Sequence, residues 1–295
     1  MSSSANTALA TPGTAPAAIR SPFRRTLSSV PVIIALAALA IMVIMALFAP
    51  WLHTIDPVQI DPTQRLKPPS GAHWLGTDAY GRDVYSRVVY GARVSLVVGL
   101  GVAAFSMVVG LAIGVAAGYF RWVDAIVMRI MDGLMAIPGV LLAIALVSLS
   151  GASLTTVLVA ITIPEVPRVV RLVRSVILSV RNEPYVEAAV SLGTPTFTLM
   201  LRHLVPNTMA PLIVQGTYIF ASAILTEAIL SFLGAGVPPE ISSWGNIMSE
   251  GRSYFQLIPG LVLYPGILLS LTVLSVNVLG DAMRDVLDPR MSRRL

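Results

Sequence analysis

Residues 183–207 read EPYVEAAVSLGTPTFTLMLRHLVPN, a break between long apolar runs. The stretch predicts helix, glycine turn, helix. Asn182 is placed to cap the first helix, because its side chain can accept from a free N–H of the opening turn. Pro184 falls in that turn, where its missing N–H costs little. Gly193 suits the left-handed conformation that ends a helix, and Pro195 prevents the helix from resuming. Thr194 and Pro195 then read as cap and first position of a second short helix. Glu187, Ala188 and Ala189 lie together on the first helix. Their small side chains let another surface come close, and the carboxylate offers an acceptor. Two readings fit: a docking element that couples the chain mechanically to something outside it, or an ordinary amphipathic connector.

The rest of the chain fixes the solvent. Of 295 residues, 55% are apolar and only 12% charged, and the mean hydropathy is +0.79. Soluble domains carry about 25% charged residues. The expected fold class is therefore an all-α integral membrane protein, in which every backbone polar group must be satisfied without water. There is no cysteine, which excludes disulfides, thiolate nucleophiles and cysteine-ligated metals. The net charge of +5 does not point to nucleic acid, because the arginines lie beside apolar runs, as membrane topology requires. The one lysine, Lys67, precedes a proline. A phosphate-binding loop needs G-x-x-x-x-G-K-[ST], so ATP-driven work by this chain requires another subunit.

Six spans are expected. Residues 1–29, rich in Ser, Ala, Thr and Pro, read as a disordered cytoplasmic tail. Residues 30–52 form the first span, for which a cleaved signal peptide is the alternative. Residues 53–92 read as an extracytoplasmic and interfacial loop with turn signals at Asp56-Pro57, Asp61-Pro62, Pro68-Pro69 and Ser70-Gly71. The second span is expected over residues 95–119. Its Gly110, Gly114 and Gly118 are four apart, a small-residue stripe for helix packing. Arg121, Asp124 and Arg129 mark a short loop, and the third span covers residues 130–149. The fourth, residues 154–173, contains Pro164, Glu165 and Pro167, which predict a kink or break. The fifth and sixth cover residues 210–233 and 257–280. The tail that follows, DAMRDVLDPRMSRRL, is charged and ends inside. With both termini inside, 14 Lys and Arg face the cytoplasm and 6 face outward, the distribution that orients membrane proteins. The segment 182–207 is then cytoplasmic.

Enzyme readings fare poorly. His53, His73 and His203 are far apart, with no H-E-x-x-H pair for a metal and no G-x-S-x-G elbow. Asp132 and Asp281 lie near span ends, where an acid costs little. Glu165 and Glu227 are different: a carboxylate at the centre of a span costs about 2.5–3.5 kcal/mol on insertion scales. They either line a pathway or bind a substrate amine, or they pair with Arg or backbone and fix helix packing.

The segment 183–207 resembles the EAA loop of the membrane permease subunits of bacterial ABC importers. That pattern is E-A-A, three residues, Gly, nine residues, then I-x-L-P. Here it stands as Glu187-Ala188-Ala189, residues 190–192, Gly193, residues 194–202, then His203-Leu204-Val205-Pro206, with His and Val in place of Ile and Leu. The stretches HWLGTDAYGRDVYSRVVYGARVSL (73–96), LTEAILSFLGAGVPPEISSWG (225–245) and VNVLGDAMRDVLDPR (276–290) are similar to signatures of the peptide/nickel branch, specifically the C-type permeases of dipeptide and oligopeptide importers.

The resemblance implies a five-helix type I importer core over residues 93–284, plus one N-terminal helix and a cytoplasmic tail over residues 285–295. It implies a homologous B-type permease partner, two ABC ATPase subunits carrying ATP and Mg, and an extracytoplasmic peptide-binding protein. This chain would bind no cofactor and no metal, and would work in the inner membrane. Glu187, Ala188, Ala189, Gly193 and Pro206 would form the ATPase-coupling site. The competing readings are a proton-coupled carrier using Glu165 and Glu227, a non-transporting membrane anchor, and an importer of nickel or glutathione.

Overall fold

The computed structural model describes residues 29–287; the two tails lie almost wholly outside them. The fold is all-α and multi-pass. Helix α1 is Val30–Leu47, α2 is Val84–Tyr119, α3 is Arg121–Ala136 and α4 is Gly139–Ser150. Helix α5 is Leu154–Val180, α6 is Pro184–Ser191, α7 is Thr196–Leu199, α8 is Val205–Phe232, α9 is Trp244–Gly251 and α10 is Gly260–Leu287. A π-helical turn, Met200–Leu204, joins α7 to α8. Among the described residues, four helical stretches are long and apolar enough to cross a membrane, and the bent pair α3–α4 makes a fifth if counted as one span.

Three expectations need correction. Hydropathy placed the second span from residue 95, but α2 starts at Val84, where Asp83 caps it by accepting from the Ser86 N–H. With 36 residues, α2 is about 54 Å long and outreaches a hydrocarbon core of about 30 Å. The third span is not straight. Arg121, Asp124 and Arg129 lie in α3 rather than in a loop, and α3 meets α4 at 90°. The cause is local: a residue before proline is driven out of the helical region, and Ile137, before Pro138, sits at φ −95°, ψ 129°. Conversely, α5 continues through Pro164 and Pro167 without a break, so of the expected kink or break the break is corrected. The Pro164 ring lies on the start of α4, where a Cβ at Gly139 would meet it at 3.2 Å.

Helix α5 is the central element. It lies along α2 and also touches α3, α4 and α8. Its residues Val169, Val173 and Ile177 face Gly110, Gly114 and Gly118 of α2; a Cβ on those glycines would lie 2.5, 2.7 and 2.6 Å from the opposing Cβ atoms. The two backbones therefore approach as closely as glycine alone permits. The cytoplasm-facing charges expected on α5 are paired: Arg171 with Asp132 at 2.6 Å, Arg174 with Asp124, and Arg181 with the Gly118 carbonyl at 3.1 Å.

Candidate functional site

Helix α6 begins at Pro184. Its N-cap is Glu183, not Asn182, and the Glu183 side chain makes no capping bond. Asn182 instead donates from Nδ2 to the Leu178 carbonyl, because its backbone continues the end of α5. The far end of α6 is closed by two bonds, Gly193 N–H to the Val190 carbonyl and Thr194 N–H to the Ala189 carbonyl. That pairing requires a left-handed residue, and Gly193 has φ +77°. Pro195, not Thr194, caps α7, which begins at Thr196.

The segment has two faces. Val186, Ala189, Leu199 and Leu204 are buried in the cluster that holds Val169, Val173 and Ile177 of α5. Asn207 Nδ2 at the start of α8 donates to the Tyr185 hydroxyl at 3.1 Å. Helix α6 is thus tied to the body by this cluster and by the Tyr185–Asn207 hydrogen bond to the start of α8. The other face carries Glu187, Ala188, Val190, Leu192, Phe197 and Leu201, all exposed. Leu192 is 87% exposed and Phe197 73%. Gly193 and Pro206 are also exposed, and no hydrogen bond or ion pair holds the Glu187 carboxylate among the described residues. Exposed large apolar side chains on a polar segment mark a contact surface.

The second feature is a cavity of about 360 Å³ inside the α3–α4 bend. Its walls include Met135, Ile137, Val140 and Ile161, with Glu165, Arg168, Ser222 and Thr226 as the polar members. Glu165 is buried and accepts two bonds from Arg168 Nη1, at 3.0 and 3.1 Å, and one from the Ser222 hydroxyl at 3.3 Å. The sequence suggested an Arg partner for Glu165 without singling out Arg168. The i,i+3 spacing from Glu165 was the signal that the two would meet on one helix face.

Glu227 lies elsewhere. It is fully buried in α8, with Oε1 accepting from Ser231 at 2.8 Å and Oε2 without a partner among the described residues. The two span carboxylates therefore do not form one site.

The third feature was not legible as chemistry. At the Val84 end of α2, far from α6, Asp78 accepts from Arg82 Nε at 2.7 Å and Arg87 Nη1 at 2.6 Å. Arg87 also binds Glu250 of α9 at 2.7 and 3.2 Å, and Arg82 reaches the same carboxylate. His73 pairs with Asp83 at 3.0 Å, and Trp244 donates to the Val88 carbonyl at 3.0 Å. The signature stretch 73–96 is thus a clamp joining loop, α2 and α9. Removing one partner of a buried ion cluster strands the others, at about 3–5 kcal/mol. Arg87→Met is expected to lower the thermal unfolding midpoint in detergent by several degrees, and an unchanged midpoint would show that the clamp is not structural.

The described residues thus form a multi-pass helical body with a half-seated helix exposing Glu187 and apolar side chains, and a polar cavity beside a bent helix pair. Sequence comparison supplies the family. Residues 106–293 match the family described as binding-protein-dependent transport system inner membrane component. Residues 21–69 match the N-terminal TM domain of oligopeptide transport permease C. The chain belongs to this family of ABC transporter permeases. It is 52% identical to a probable peptide ABC transporter permease protein of Sinorhizobium fredii, over 85% of this chain and 86% of that one. It is 45% identical to a putative peptide transport system permease protein of Brucella suis, over 88% and 87%. It is 42% identical to a dipeptide transport system permease protein of Alkalihalophilus pseudofirmus, over 88% and 86%. As in these permeases, the chain is a transport subunit without an ATPase domain.

Proposed function

We propose that this chain is the C-type permease of an ATP-driven importer of di- or oligopeptides, forming half of the translocation pathway in a bacterial inner membrane. The observation that carries the reading is the half-seated α6, which presents Glu187 and Ala188 outward from a helix closed by Gly193. The three relatives above all bear peptide transport names, which favours peptides over nickel or glutathione. A proton-coupled carrier gains no support, since Glu165 and Glu227 are in separate places and Glu165 is ion-paired.

The molecule crosses the membrane six times in this reading: α1, α2, the bent α3–α4, α5, α8 and α10. Both termini are cytoplasmic. A homologous permease completes the pathway, two ATPases lie beneath, and a peptide-binding protein docks on the opposite face near α9. One ATPase receives Glu187, Ala188, Ala189, Gly193 and Pro206 and their exposed apolar neighbours. Closure of the ATPase pair pushes α6. Because Val186 and Ala189 pack in the same cluster as Val173 and Ile177, the push passes to α5, which walls the cavity. Glu165 lies on the pathway, and Glu227 fixes packing between α8 and α9.

The test is uptake of a radiolabelled dipeptide into cells relying on this importer. Uptake should require ATP, the binding protein and this chain together. A pH gradient should drive none in vesicles holding this chain alone; uptake there would overturn the reading.

A further inference from the structure

We infer that Arg168 binds the α-carboxylate of the peptide in transit, at the cavity inside the α3–α4 bend; this rests on the peptide-importer reading. A guanidinium has five N–H donors. Arg168 spends those of Nη1 on the two Glu165 oxygens. Its Nε and Nη2 bond nothing among the described residues, and its side chain is 55% exposed where it lines the cavity. That free edge is the one that grips a carboxylate through two parallel bonds.

Glu165 is a positioning residue. Both of its oxygens face Arg168, and Ser222 from α8 holds one of them. It fixes the guanidinium and cancels its net charge, so a bound peptide meets an oriented pair of N–H donors and not an isolated cation. Of the remaining walls, Met135, Ile137, Val140 and Ile161 are apolar, and Thr226 adds one hydroxyl. They suit side chains of varied identity, while the fork reads the group that every free peptide shares. At about 360 Å³ the space lies at the small end of ligand cavities, which run from about 300 to 1,000 Å³.

The chain has no cysteine, so Ile137→Cys or Val140→Cys gives this subunit a single thiol on the cavity wall, and whichever variant retains uptake serves as reporter. In the complete importer in lipid nanodiscs, the rate at which a small thiol reagent labels this chain is measured with added alanyl-alanine. The dipeptide and its N-acetyl form should slow labelling, and alanyl-alanine amide should not. Arg168→Gln should raise the concentration for half-protection about tenfold or more, the loss of one charge-assisted hydrogen bond, and Arg168→Lys should recover part of it. Equal protection by peptide and amide, or full protection in Arg168→Gln, would overturn the subsite. So would slow labelling that depends on anionic lipid and not on peptide, which would assign the fork to a lipid headgroup. If the importer takes up dipeptide yet no protection appears, the subsite alone fails. If it takes up none, the peptide reading falls with it.

Discussion

Gly114→Val is expected to abolish accumulation of folded protein in the membrane. A Cβ at residue 114 would sit 2.7 Å from Val173 Cβ, 2.9 Å from its Cγ1 and 3.0 Å from the Val170 carbonyl oxygen. The first and last of these atoms belong to positions that no rotamer change can move. Relief requires α2 and α5 to part, and that would loosen the cluster seating α6 as well. Overpacking typically costs about 1–3 kcal/mol; a clash with backbone along the longest helix contact lies at or above the top of that range. Gly133→Ala in α3 is the control. Nothing lies within 4 Å of its added Cβ, and alanine favours a helix over glycine by about 0.5–1 kcal/mol. That variant should accumulate at least as well as the parent. The check is the fluorescence-detected size-exclusion profile of both proteins, extracted in the same detergent.

The second large effect is on coupling. Glu187→Lys and Phe197→Asp should each abolish uptake while leaving insertion and thermal stability unchanged. Both side chains are exposed, and neither belongs to a buried cluster among the described residues, so the fold loses little. The proposed ATPase contact has much to lose. A buried aromatic anchor at an interface contributes about 2 kcal/mol or more, and reversing Glu187 places a cation where a donor would grip the carboxylate. The measurement is retention of the ATPase subunits during purification of each variant, beside uptake. Undiminished uptake by both variants would sink the coupling role. Gly193→Pro tests the same element through its backbone, since proline cannot adopt φ +77°.

Hydropathy located the long apolar helices because lipid imposes one rule on every residue that faces it. It misplaced their ends where charged residues continue a helix past the hydrocarbon. Asp83 caps α2 among polar neighbours, and α3 is amphipathic, so its Asp124 and Arg129 looked like loop. Proline misled in both directions. Pro138 parts α3 from α4 with Ile137 in extended backbone, whereas Pro164 and Pro167 sit in a helix packed along α2. Within the 183–207 segment, Pro184 and Gly193 were legible because each has one local conformational demand. The choice of Glu183 over Asn182 as cap was not, since it depends on how far α5 persists. The clamp of Asp78, Arg82, Arg87 and Glu250 was illegible in principle: Arg87 and Glu250 are 163 residues apart, and nothing local foretells their meeting. Glu165 and Arg168 stand one helical turn apart and were readable as a pair. That the pair faces a cavity depends on the α3–α4 bend.

The central claim is that this chain transports only as one subunit of an ATP-driven assembly. Purifying it in mild detergent from its native membrane, and identifying and counting the polypeptides that accompany it, tests this most directly. A second permease and two ATPase subunits should appear in stoichiometric amounts. A chain that purifies alone, repeatedly and in several detergents, would contradict it.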